Sequence, residues 1–183
     1  MPRPWVIGVI AFICLSIIAG AYPAFRAFSS WRAENLARSA EEMIKQGKVT
    51  EGLEALSFAI RKDQDNYEVL RKRAKIYAQL GHPDTLIIWT RLRQLHGLND
   101  DDRREYARAA LLFGESDLAD KIMSDAESKT ASIDDILLRY QIAFTRGKFS
   151  LAEDLAREAL KRNPDDKDII MNMAHALLLQ KDP

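Results

Sequence analysis

Cysteine is nearly missing from this chain: its 183 residues include one, Cys14. A lone thiol excludes an intrachain disulfide and leaves no second cysteine for a zinc or redox pair. Lipid attachment at Cys14 is disfavoured, because Ile13 before it is bulky where such sites carry a small residue. An excess of one charge is missing too, since basic and acidic side chains both number 27. Arg3, Arg26 and Arg32 precede residue 33 and no acid does, which leaves 24 basic against 27 acidic side chains in 33–183, a charge of −3. That mildly acidic surface argues against nucleic acid as a partner. No alternating apolar–polar pattern marks a strand. What remains is 47% hydrophobic and 30% charged, the composition of a chain that folds.

One long apolar run is present. From Pro4 to Phe25 there is no charged residue. About twenty helical residues cover the roughly 30 Å hydrocarbon core of a bilayer. The strongly apolar side chains of the run favour insertion by about 3–6 kcal/mol before small and polar residues subtract. Trp5 and Tyr22 sit near its ends, and Phe25, Phe28 and Trp31 continue at helical spacing into a zone closed by Arg26 and Arg32, as at a membrane interface. Residues 1–32 are therefore expected to be a single-pass transmembrane anchor, through 4–25, with an interfacial segment. The alternative is export after signal-peptide cleavage, for which Ala19-Gly20-Ala21 supplies the small residues. Arginine placement favours keeping the following domain in the cytoplasm, whereas the very short N-terminal tail favours exporting it, so orientation stays open.

Beyond the run lies a period. Gly47, Gly81, Gly114 and Gly147 are 34, 33 and 33 residues apart. Each follows an amphipathic stretch and precedes another, whose fifth residue after the glycine is Gly52, Leu86, Ala119 or Ala152. Glycine ends a helix in the left-handed conformation, so each unit reads as helix, turn, antiparallel helix. Ala40, Ala74 and Ala107 in the first helices, and Ala59, Ala126 and Ala159 in the second, allow close approach. A pair of amphipathic helices cannot bury its apolar faces alone, so neighbouring units are expected to stack.

Residues 147–166 carry Gly147-Lys148-Phe149-Ser150-Leu151-Ala152, then Ala156, Ala159-Leu160 and Asn163-Pro164-Asp165. This resembles the second helix and closing turn of a tetratricopeptide repeat. Unit 33–66 is similar in Ala40, Gly47, Val49, Leu56 and Ala59; unit 67–99 in Leu70, Ala74, Tyr77, Gly81 and Trp89; unit 100–132 in Ala107, Gly114, Ala119 and Ala126. Departures are the turn proline, present in the last full unit alone, Gly52 and Leu86 where alanine is usual, and an irregular turn at His96-Gly97-Leu98-Asn99. Residues 167–180 resemble one further first helix acting as a cap, with Ile170, Met173, Ala174 and Leu177 expected on its buried side. The resemblance implies an all-α fold: a right-handed α-solenoid of about four helical hairpins over 33–183, with units 33–66, 67–99, 100–132 and 133–166 and a capping helix at 167–180.

Signals for chemistry are weak. Asp100-Asp101-Asp102 lacks the alternating ligands and glycine of a calcium loop, and after Asn99 it reads as a helix cap. Asp63, Asp65 and Asn66 read as turn residues. His82, His96 and His175 fall in different units with no metal-ligand spacing. No nucleophile elbow or phosphate-cradling loop occurs, so neither catalysis, cofactor nor metal is expected.

The resemblance implies instead that the first helices line a groove for a protein or peptide partner. Helical spacing from the buried alanines turns Arg71, Lys75, Arg104 and Arg108 inward, flanked by Ile44, Leu111, Leu137, Gln141 and Phe144. Such a surface suits an acidic segment or a terminal carboxylate. The plainer reading pairs these arginines with Glu68, Asp101 and Glu105. Trp89, Tyr106 and Tyr140 fit the seam between helices better than an interface. The function expected is a membrane-anchored protein-interaction scaffold. The alternatives are a non-catalytic accessory or regulatory subunit of a membrane enzyme or an envelope or cytochrome biogenesis complex, a catalytic function of the chain's own, and the front part of a longer scaffold. Oligomeric state is not legible.

Overall fold

The computed structural model describes residues 4–124 and 131–181, and their side chains except at 4–22, 175, 176, 180 and 181. Every regular element in these residues is helical: α1 Pro4–Lys45, α2 Val49–Lys62, α3 Tyr67–Gln79, α4 Thr85–His96, α5 Asp100–Leu112, α6 Ser116–Ser124, α7 Ile133–Thr145, α8 Phe149–Arg162 and α9 Lys167–Lys181. Two compact units divide the chain. Unit 1 holds Met1–His82 with Gln94–His96, and unit 2 holds Pro83–Arg93 with Gly97–Pro183. In unit 1, α1 packs on α2 and on α3, and α2 packs on α3. Unit 2 runs in the same serial manner: α5 on α6, α6 on α7, α7 on α8, α8 on α9, with α5 also beside α7.

The period has its cause in the glycines. Gly47, Gly81, Gly114 and Gly147 have φ of 80°, 65°, 79° and 69°, open to glycine without a Cβ clash. Around each, two crossed backbone hydrogen bonds close the helix end. Lys148 N–H donates to Ala143 O at 2.8 Å and Gly147 N–H to Phe144 O at 3.0 Å, and the other three repeat the pattern. Gly97 also has positive φ, but its N–H bonds to Arg93 O alone in this way, so the turn there is indeed of another kind.

Alanines fill the helix contacts as expected: Ala40, Ala59, Ala74, Ala107, Ala119, Ala152 and Ala159 are completely buried. Ala126 lies outside the described residues. Gly52 replaces alanine for a reason the structure supplies. A Cβ there would stand 2.5 Å from Ile44 Cγ1 and 2.9 Å from Ala40 O, so α2 lies closer to α1 than a methyl group permits. The first unit's turn closes without proline as the last one closes with it. Asn66 N–H reaches Asp63 O at 3.4 Å in the turn containing Gln64, as Asp166 N–H reaches Asn163 O at 3.4 Å in the turn containing Pro164.

Two expectations need correction. On α9 Met173 packs on the Tyr140–Ala156 cluster and Leu177 is half-buried, as expected, but the fully buried residue is Ile169, while Ile170 is 49% exposed and Ala174 is exposed. The helix packs mainly on α8 and touches α7, and those contacts select the flank with Ile169 beside Ile136 and Ala159. Ile44, expected to flank the groove, is half-buried and leans on the core of unit 1 beside Gly52. α1 also continues unbroken through position 32, where the anchor was expected to end. Among the described residues no helix is long and apolar enough to cross a membrane. The run 4–25 proposed for that role falls, apart from 23–25, outside the described side chains.

Candidate partner-binding face

Unit 2 brings six of the expected groove residues onto two neighbouring helices. Arg104, Arg108 and Leu111 on α5, and Leu137, Gln141 and Phe144 on α7, are each spaced i, i+4, i+7 and so share one face of their helix. The two helices lie side by side, and an ion pair joins them: Arg104 Nη1 is 3.3 Å from Asp135 Oδ1. Arg71 and Lys75 belong to α3 in unit 1.

Availability differs sharply among these side chains. Arg104 is largely buried and engages both Asp101 and Asp135, so it holds the helices rather than a guest. Burial works against its charge, yet the two carboxylates outweigh that and raise its pKa. Asp135 is 6% exposed and sits in the capping box of α7. Its carboxylate accepts from Ser132 N–H at 2.9 Å and Ser132 Oγ–H at 2.8 Å. Burial alone would raise the Asp135 pKa, but these bonds and Arg104 hold it below the ordinary carboxylate value. Arg108 is half exposed and pairs with Glu105 at 2.9 Å, and Arg71 stands 3.9 Å from Glu68. The pairing of these arginines with Glu68, Asp101 and Glu105 is thus the one the plainer reading gave. Lys75 is half-buried.

The apolar members are partly committed as well. Leu137 leans on the Ile136–Ala159–Ile169 cluster, and Phe144 on Tyr140, Ala143, Ala152 and Ala156. Gln141 is exposed and Leu111 half-buried. Leu112, which the sequence reading passed over, is 64% exposed. Its place one turn after Arg108 was the available signal.

The aromatic candidates are core. Trp89 and Tyr106 are 1% and 2% exposed and stack with centroids 6.0 Å apart, and Thr90 Oγ1 lies 2.8 Å from Tyr106 Oη. Tyr140 stands where the period elsewhere places alanine. Its hydroxyl donates to Asn172 O on α9 at 2.8 Å, and burial raises its pKa. The acidic triplet is split: Asp100 pairs with Arg103 at 2.7 Å, Asp101 with Arg104, and Asp102 is buried, its N–H donating to the Asn99 side chain at 2.8 Å. Among the described residues no acidic or histidine cluster is arranged to hold a metal ion. His82 packs on Tyr77, and His96 meets Asp65 O at 2.6 Å. The side chain of His175 lies outside those described.

No protein-family model and no curated protein matches the chain. Among solved structures, a tetratricopeptide repeat protein from Parabacteroides merdae, known from a crystal structure at 2.39 Å resolution, is similar with a TM-score of 0.72. The alignment covers 96% of this chain and 72% of that one at 16% identity. The fold is that of a tetratricopeptide-repeat protein. An identity this low speaks to fold alone.

Proposed function

We propose that this chain is a membrane-anchored scaffold that holds a protein partner along the first helices of its repeats. The observation that carries the reading is the α5–α7 face, where Arg108, Leu112 and Gln141 remain exposed on helices already braced by the Arg104–Asp135 pair. A braced surface loses little conformational entropy on binding. Arg108 beside an exposed leucine suits an extended peptide with an acidic residue next to an apolar one. Support for the anchor is the uncharged run Pro4–Phe25, carried on the same helix as the first repeat. Anchoring raises the local concentration of any partner that is also membrane-bound.

The test is photo-crosslinking in the full chain, with a reactive residue at Gln141 on α7 or at Arg157 on α8. Crosslinking to one partner from Gln141, weakened in Arg108→Glu and absent from Arg157, is the expected result. A partner captured equally from Arg157, or indifferent to Arg108→Glu, overturns the assignment of the face.

A further inference from the structure

Unit 1 leaves a group of large apolar side chains uncovered. On α1, Phe25, Phe28 and Trp31 are 71%, 54% and 58% exposed, whereas Ala33, Ala37 and Ala40 are completely buried. A spacing of three runs these rings along one flank of the helix, away from the alanine side. Scattered exposed apolar residues are ordinary, but three adjoining aromatics mark a surface with an occupant.

Cations surround them. Arg26 follows Phe25, and the Arg32 guanidinium lies 5.8 Å from the centre of the Phe28 ring. The fold adds two more that are distant in sequence. The end of α2 returns beside α1, with Ser29 Oγ–H donating to Lys62 O at 3.2 Å. One shallow depression is therefore lined by Phe25, Arg26, Ser29, Lys62 and Asp63. A turn earlier on α2, Phe58 is 53% exposed and the Arg61 guanidinium sits 4.3 Å from its ring centre. The depression itself carries Arg26 and Lys62 against Asp63, and the wider edge adds Arg32 and Arg61 against Glu34, which is held by Asn66. This is also the end of the hairpin from which α1 leads back into the uncharged run.

We propose that this edge of unit 1 is a contact surface for the headgroups of an anionic bilayer. The aromatic rings would sit at headgroup depth, and Arg26, Arg32, Arg61 and Lys62 would meet lipid phosphates. Aromatic and basic side chains next to a hydrocarbon-length apolar stretch are the types that settle in that zone. Charge complementarity and continuity with the apolar run favour a lipid surface over a protein. The inference deepens the anchor reading and rests on it.

The full chain carrying Cys14→Ser and a nitroxide at Gln64→Cys is placed in phosphatidylcholine vesicles, with or without phosphatidylglycerol, that also hold a nickel-chelating lipid. A label at Lys45→Cys, about 30 Å from Phe25 along α1, is the reference. The anchor alone holds site 64 nearer the bilayer than site 45, so the reading is the change with lipid charge: phosphatidylglycerol should speed relaxation at 64 by about twofold or more over neutral vesicles and leave 45 unchanged, and R61E/K62E should remove that gain. Relaxation at 64 indifferent to phosphatidylglycerol, or a gain that survives R61E/K62E, overturns the proposal. Broadening between labels that persists in neutral vesicles gives the face to a second copy of the chain. Alkaline carbonate extraction of the same samples separates the two readings. A chain that resists extraction without the lipid-dependent gain at 64 keeps the anchor and loses the surface. One that is extracted yet shows the lipid-dependent difference keeps the surface and loses the anchor.

Discussion

Gly52 and Asp135 show how single residues set this structure. At Gly52 the nearest obstacle to a methyl group includes Ala40 O, a backbone atom that cannot swing aside. Gly52→Ala should therefore destabilise unit 1 by about 1–3 kcal/mol despite alanine's higher helix propensity. Thermal melting checks this, and a stabilised variant would contradict the close approach. Asp135 and Glu41 both have lowered pKa values, Asp135 against the pull of burial and Glu41 chiefly through its hydrogen bond with Lys72. A carboxyl lowered on folding contributes stability above its unfolded pKa and loses it as pH falls through the folded one. Melting temperature should thus decline below about pH 4, with a shallower slope in Asp135→Asn. Identical slopes for the two proteins would remove Asp135 from the account.

Helices and turns were the most legible level, because glycine and alanine report geometry directly. Gly47, Gly81, Gly114 and Gly147 each end a helix in the left-handed region, and no other residue enters it without cost. Faces were harder to read. On α9, Met173 packs as expected while Ile170 and Ala174 do not, because the helix takes its orientation from the neighbours it meets, α8 and the Ile136–Tyr140 side of α7, and not from its own pattern. Leu137 and Phe144 lie on the expected face of α7 yet lean partly into the core, since helical projection gives a direction but not the distance to the next helix. Arg104 could not be recognised as a brace from sequence, because Asp135 is 31 residues away. Overpacking tests the alanine contacts. Ala159→Trp, at a completely buried site between α8 and its neighbours, should cost about 1–3 kcal/mol or more, read by denaturant titration. Unchanged stability would mean α8 is not packed through this face.

At the scale of the molecule, contacts within each unit join helices close in sequence, so stability is a sum of neighbouring interfaces. In unit 2, α9 has α8 as its sole extensive contact while α7 is held by α5, α6 and α8. Hydrogen exchange should accordingly be faster in α9 than in α7, and the reverse order would deny serial packing. α1 joins the apolar run to the first repeat as one rod of 42 residues without a loop. Such a rod has no swivel; Pro23, which lacks an N–H, is the place within it where a bend would arise. Were the rod to lean by about 20°, a common slant for a spanning helix, Lys45 would travel sideways by about 10 Å relative to Phe25. α3, which packs on α1, would inherit that lean, so bilayer thickness would become a steering input for a helix well away from the lipid.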